Sequence, residues 1–299
     1  MTPVSENMDL VMTLGWNDVA LGKELGRDVF MMPDYLLGLK KSTTGLTTKE
    51  GSFIDVWEFD VPTDEAVLDA WALNFRQQYC SDEELPILMD GTGMTVEEYL
   101  NSHVFPHKSI SPGPSVRSGD FAEFLISDYL EYILGYWVPR GKYSDKASKD
   151  ESVKGVDVLG FFVQDSSKPT QKDALIAFEV KASLSGKKYN AQLQSAVDDG
   201  SKDLYLRQGF TLNATKRRLA RAGKAAEVAK ISRFQNIVDN PYSYYSGAVA
   251  VLSHGAYDTA KLSETIASGH SNQASLGLMV VRAGLVMALV HELYERGCK

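Results

Sequence analysis

The string most suggestive of chemistry is Ala177-Phe178-Glu179-Val180-Lys181. Side chains alternate across a strand, so Glu179 and Lys181 share one face, while Ile176, Phe178 and Val180 point to the other, toward a core. Charged groups seldom sit on so nearly buried a surface unless they are paired or functional. Upstream stands Gly155-Val156-Asp157-Val158-Leu159-Gly160. If the two segments pair as a hairpin, Asp157 lies opposite Glu179. Two carboxylates a few ångströms apart repel and desolvate each other, and a divalent cation relieves that strain. Mg²⁺ takes hard oxygen ligands and keeps several of its waters. Asp157, Glu179, the main-chain carbonyl of Val180 and water make a sensible shell for it, with Mn²⁺ as a substitute.

Phosphodiester cleavage needs an activated water, neutralised charge in the transition state and a stabilised leaving oxygen. A metal supplies the first and third. Lys181 can orient the water and offset the phosphate charge. The bland alternative is a surface ion pair, since a Glu-x-Lys triplet on a strand edge is common. The upstream Asp157 argues against it, as does the helix beginning Gly119-Asp120-Phe121-Ala122-Glu123. Phe121, Phe124, Leu125 and Tyr129 define one apolar face of that helix. Glu123 lies off that face, where it either stabilises the helix start or points into the site.

The Gly-x-x-x-Glu helix, the Gly-x-Asp strand and the Glu-x-Lys strand, in this order, resemble the PD-(D/E)xK nuclease superfamily. The intervening Tyr143-Ser144-Asp145-Lys146 and Glu151-Ser-Val-Lys-Gly-Val-Asp157 are similar to the nuclease domain of HamA-type effectors. Those effectors belong to Hachiman and related two-component antiphage systems. The resemblance covers roughly residues 115–295. It implies metal ligands at Asp157 and Glu179, a catalytic lysine at Lys181, an auxiliary helix acid at Glu123 and a helicase (ATPase) subunit encoded alongside. Related nucleases often carry Gln-x-x-x-Tyr on the next helix. Here Gln192 and Gln194 are present, but no tyrosine follows at that spacing.

Net charge is −8, which taken alone argues against a nucleic-acid binder. Its distribution is uneven. Residues 1–120 hold 20 Asp/Glu against 8 Lys/Arg, whereas residues 181–233 hold 12 Lys/Arg against 4 Asp/Glu. The basic segment is expected to carry phosphate contacts at Lys187 and Lys188, and at Lys216, Arg217 and Arg218 on a long helix that also holds Arg221 and Lys224. The alternative is a solvated helix face. Tyr189 and Tyr205 are the aromatics interleaved with these cations, which gives little support for base stacking. Arg140 and Lys146 either contact phosphate or pair with Asp145, Asp150 or Glu151. Cys80 and Cys298 form no metal-binding pair, and the five histidines are scattered, so zinc is not expected. A reducing cytoplasm suits such a chain. Met1–Glu6 has no basic leader, and Leu276–Val290 is interrupted by Arg282, so no membrane span is expected.

The elements that must position these residues follow from periodicity and turn chemistry. Strands are expected at Phe53–Phe59, Val156–Val163, Ala174–Lys181, Ser246–Ser253 and Leu276–Val281. Helices are expected at Asp64–Tyr79 with Thr63 as cap, Phe121–Tyr136, Tyr189–Val197, Leu212–Phe234 and Leu285–Glu295. A capping box, Thr95 to Glu98, starts a short helix. Phe105–Pro114, with three prolines, reads as a linker. The expectation is an α/β restriction-endonuclease-like core, a mixed sheet flanked by helices, at residues 114–299. An acidic α+β domain, for partner binding or autoinhibition, would precede it at residues 1–113. The expected function is Mg²⁺-dependent cleavage of nucleic acid, with DNA favoured over RNA as substrate, in antiphage defence. The alternatives are a housekeeping repair nuclease and an inactive regulatory subunit. A neighbouring helicase gene, or metal binding, distinguishes them.

Overall fold

Runs of small and β-branched residues become the centre of one sheet. The computed structural model describes residues 31–299; Met1–Glu6 and the rest of residues 1–30 lie outside them. The strands are β1 (Leu39–Lys41), β2 (Leu46–Thr47), β3 (Phe53–Phe59), β4 (Val158–Phe162), β5 (Ala174–Ser183), β6 (Ser243–Ser253) and β7 (Leu276–Ala283). They lie in the order β1-β3-β7-β6-β5-β4, with β2 on β3. β3, β7, β6 and β5 are mutually parallel, and β4 and β1 are antiparallel on the two flanks. Parallel strands need both faces covered. This is why β6 and β7 read as unbroken apolar runs and not as alternating ones.

The helices are α1 (Glu65–Gln77), α2 (Leu85–Met89), α3 (Val96–Tyr99), α4 (Gly113–Asp128), α5 (Gln192–Gly200), α6 (Gln208–Arg221), α7 (Ala225–Arg233), α8 (Thr259–Leu262) and α9 (Val286–Arg296). On one face, Phe178, Val180, Val251 and Val281 of the sheet pack with Phe75, Phe121, Leu125 and Leu293 from α1, α4 and α9. On the other, Leu193, Ala196 and Val197 of α5 cover Ala248, Ala250 and Val280. α6 and α7 complete that layer, with Leu212, Leu219, Ile231 and Phe234 on Leu159, Phe161, Leu175 and Ala177. The mixed sheet between helical layers is the restriction-endonuclease-like core expected from the sequence.

Several local expectations need correction. The helix expected from Thr63 is capped by Asp64, whose carboxylate accepts the Ala66 and Val67 amides at 2.9 and 3.1 Å. The single helix expected over Leu212–Phe234 is two, broken at Gly223, which takes a left-handed φ of 69°. Tyr189 precedes α5; its hydroxyl accepts the Leu193 amide at 3.2 Å. The proline-rich linker is not one. Pro112 and Pro114 start α4, Phe105 is fully buried, and the Pro106 carbonyl accepts a 2.6 Å bond from Arg117. The boundary expected at residue 113 therefore does not separate one core from another. β3 lies in the same sheet as β7, and Trp57, Trp71 and Phe75 share one core with Phe121 and Phe178.

Candidate functional site

β4 and β5 pair antiparallel with Val158 opposite Phe178, so continuing the register by one residue sets Asp157 opposite Glu179. The ladder stops there. The Asp157 side chain takes over the pairing and accepts the Val180 amide at 2.9 Å. Two features hold the Gly155-Val156-Asp157 turn in place. Gly155 has φ +124°, and a Cβ there would come within 2.5 Å of the Thr211 hydroxyl on α6. That hydroxyl in turn accepts the Val156 amide at 3.0 Å. Only glycine allows the turn to lie this close to α6.

Glu179 is 3% exposed, and each of its oxygens carries a cation. Lys181 binds Oε1 at 2.8 Å and Arg207 binds Oε2 at 2.9 Å. Lys181 also binds Asp199 at 2.8 Å, and Arg207 also reaches Asp203 at 3.3 Å. Burial works against the Lys181 ammonium, but its bonds to Asp199 and Glu179 outweigh that and raise its pKa. The same bond from Lys181, with Lys202, holds Asp199 down at about 2. Asp157 is pushed well above the ordinary carboxylate range, by burial first, then by Glu123 and Glu179. Lys142 opposes that shift.

Glu123 lies in the third turn of α4, so the helix-start reading does not apply. Its carboxylate faces the site, accepting the Tyr143 hydroxyl at 2.6 Å and the Lys142 ammonium. Lys142 also donates to the Asp157 carbonyl. Asp157 therefore feels Glu123 from the α4 side and Glu179 from β5. Among the described residues no three His, Cys, Asp or Glu side chains stand close enough together to hold a metal ion. The donors are nonetheless right in kind for a hard divalent cation. Asp157 and Glu179 raise each other's electrostatic cost, and Mg²⁺ keeps water in much of its shell. Lys181 and Arg207 each occupy one acceptor site on Glu179, and their positive charges oppose a further cation there.

Asp157 belongs to the wall of a cleft of about 920 Å³. Arg140, Lys142 and Lys154 line it on the loop side, and Arg207, Arg217, Arg218 and Arg221 on the α6 side; Asp145 and Asp157 are its acids. Lys154, Arg217 and Arg221 make no ion pair among the described residues. Arg218 reaches Asp145 at 3.3 Å. Of the expected phosphate contacts, Arg217 and Arg218 are in the cleft. Lys216 is turned to Gln235 at 2.8 Å, and Lys187 and Lys188 are exposed in the β5–α5 connection, outside its lining. Arg140 pairs with Asp128 and Glu131, and Lys146 with Asp120, in place of the loop acids that were one of the two alternatives for them; Arg140 also lines the cleft. Gln194 bonds both ways with the Ile266 backbone, and Gln192 accepts the Asn190 amide.

Sequence reasoning missed Lys142, Lys154, Asp199, Asp203, Arg207 and Phe210. Asp199, Asp203 and Arg207 recur every four residues through a helical segment, a spacing that places them on one stripe. That stripe faces Glu179 and Lys181, and its periodicity was the available signal.

A mixed sheet between helical layers, with an acid pair and a lysine where β4 and β5 meet and a basic cleft that Asp157 alone of the three lines, defines a restriction-endonuclease-like α/β protein. The HamA family model matches residues 35–296, and the chain belongs to that family, the effector family of Hachiman-type antiphage defence. No curated protein matches the chain. Among the described residues no helix is long and apolar enough to cross a membrane.

Proposed function

We propose that the chain is a metal-dependent nuclease of the PD-(D/E)xK kind, cutting phosphodiester bonds of DNA in the cytoplasm beside a helicase partner. The observation that carries this is that Asp157, set opposite Glu179 and its partner Lys181, forms part of the wall of a cleft lined by seven cations, with Glu179 and Lys181 just behind that lining. Asp157, Glu179 and the Val180 carbonyl would hold Mg²⁺ or Mn²⁺. When bound, the cation supplies an acidified water and charge neutralisation at the leaving oxygen. Lys181, anchored on Asp199, orients that water and offsets charge on the phosphate. Glu123 acts through Lys142, which it fixes over the Asp157 carbonyl. Lys154, Arg217 and Arg221 grip the backbone without reading bases.

One observation favours a second reading, an inactive regulatory subunit. Both oxygens of Glu179 already have internal partners, as a purely structural ion-pair network would have. Mn²⁺ binding followed by electron paramagnetic resonance separates the two. The nuclease reading expects Mn²⁺ bound by the full chain, displaced by Mg²⁺, and weakened tenfold or more in Asp157→Asn and Glu179→Gln. Affinity should also rise with pH, because Asp157 must lose its proton to bind. Binding unaffected by either substitution, or none at all, favours the regulatory reading.

A further inference from the structure

Phe210 is 79% exposed, more than any other phenylalanine among the described residues. It is the third residue of α6 and lines the cleft. The buried side of α6 is Gln208, Leu212, Thr215 and Leu219. Helical spacing puts Phe210 opposite that side, in line with Ala214, Arg217 and Arg221. Its neighbours leave the ring clear. Gly209 has nothing within 4 Å of where a Cβ would be, and Ala214 is small. One apolar ring thus shares its helix face with Arg217 and Arg221, which make no ion pair among the described residues, in a cleft that Lys142 and Lys154 also line.

We propose that this cleft takes single-stranded nucleic acid, with Phe210 as the platform on which an unpaired base stacks. The inference rests on the reading of the cleft as a nucleic-acid site and adds the substrate class. Arginines alone would serve any phosphate backbone, duplex or single-stranded. An exposed ring among them is of use where a base face is free, and in a duplex each base face is covered by its neighbour. Base–aromatic stacking beside a cationic groove is the general solution for single strands. Asn213, exposed one residue before Ala214, adds an amide able to bond a base edge.

The test is binding by the full chain in EDTA, which separates binding from cleavage. The probes are a fluorescent oligodeoxynucleotide carrying 2-aminopurine and the blunt duplex of the same sequence. Wild type should bind the single strand about tenfold or more tightly than the duplex, with quenching of 2-aminopurine. Phe210→Ala should lose about tenfold for the single strand, little for the duplex, and the quenching, while Phe210→Tyr retains all three. Arg217→Ala should weaken both probes alike and flatten the salt dependence. Equal affinity for both probes, or equal losses in Phe210→Ala, overturns the single-strand proposal and leaves the nuclease reading standing. Failure to bind either probe at low salt overturns both.

Discussion

At the scale of single residues, Arg207 has two duties. It lines the cleft and it neutralises Glu179, so a phosphate in the cleft and a metal at Glu179 compete for, or release, the same side chain. Arg207→Ala should raise Mn²⁺ affinity severalfold without nucleic acid, while weakening oligonucleotide binding. Unchanged or lower Mn²⁺ affinity would show that Arg207 does not restrain Glu179. The Asp203 carboxyl behind it is raised to about 7, by burial first and then by Glu179, against the pull of Arg207. The native state therefore holds a proton that an unfolded Asp loses near pH 4. Between about pH 4 and 7 that group costs stability as pH rises, reaching on the order of a few kcal/mol above 7. Urea unfolding in EDTA at pH 5 and 8 should show a smaller pH dependence for Asp203→Asn than for wild type. An identical difference would contradict this.

At the scale of elements, the site depends on how closely the Gly155–Asp157 turn approaches α6. Gly155→Ala puts a methyl against Thr211 and demands a φ that alanine resists. A cost of roughly 1–3 kcal/mol is expected, with Asp157 displaced from the Val180 amide. Thermal unfolding should shift down by several degrees and metal affinity should fall with it; a variant as stable and as avid as wild type would refute that role. The acid pair and the lysine were legible because strand alternation and a hairpin fix them from the chain alone. What was not legible came from packing between elements. Nothing local says that Lys142 reaches over to Glu123, or that Lys216 turns to Gln235 while Arg217 lines the cleft. The break at Gly223 was visible as a weak point, yet whether a glycine bends or merely weakens a helix is decided by what packs on either side. Phe210 was passed over because exposure is a tertiary property.

At the scale of the whole molecule, the described part of the acidic half before 113 and the basic half after 180 contribute strands to one sheet. β3 and β4 lie toward opposite flanks of it, and of residues 31–113 only Gln78 lines the cleft. The described stretch of the acidic half therefore does not cover the basic cleft. The sequence pointed to two units because Phe105–Pro114 reads as a linker and charge changes sign across it, but charge reports surfaces, and the shared core is apolar. Removing residues 1–113 would strip β3 from β7 and α1 from α9. The fragment 114–299 should be insoluble or unfolded by circular dichroism. A soluble, cooperatively folding fragment would contradict the shared core.

We propose that Asp157, Glu179 and Lys181 form a metal-dependent nuclease site. The site is tested most directly by cleavage of labelled single-stranded and duplex DNA by the purified full chain, alone and with the proposed helicase partner. Wild type, Glu179→Gln and Lys181→Ala are compared in Mg²⁺ and in EDTA. The predicted result is cleavage that needs Mg²⁺ or Mn²⁺ and falls about a thousandfold or more in both variants, whose folds are unchanged. Cleavage that persists in EDTA or in either variant, or no cleavage by wild type in any combination, would contradict it.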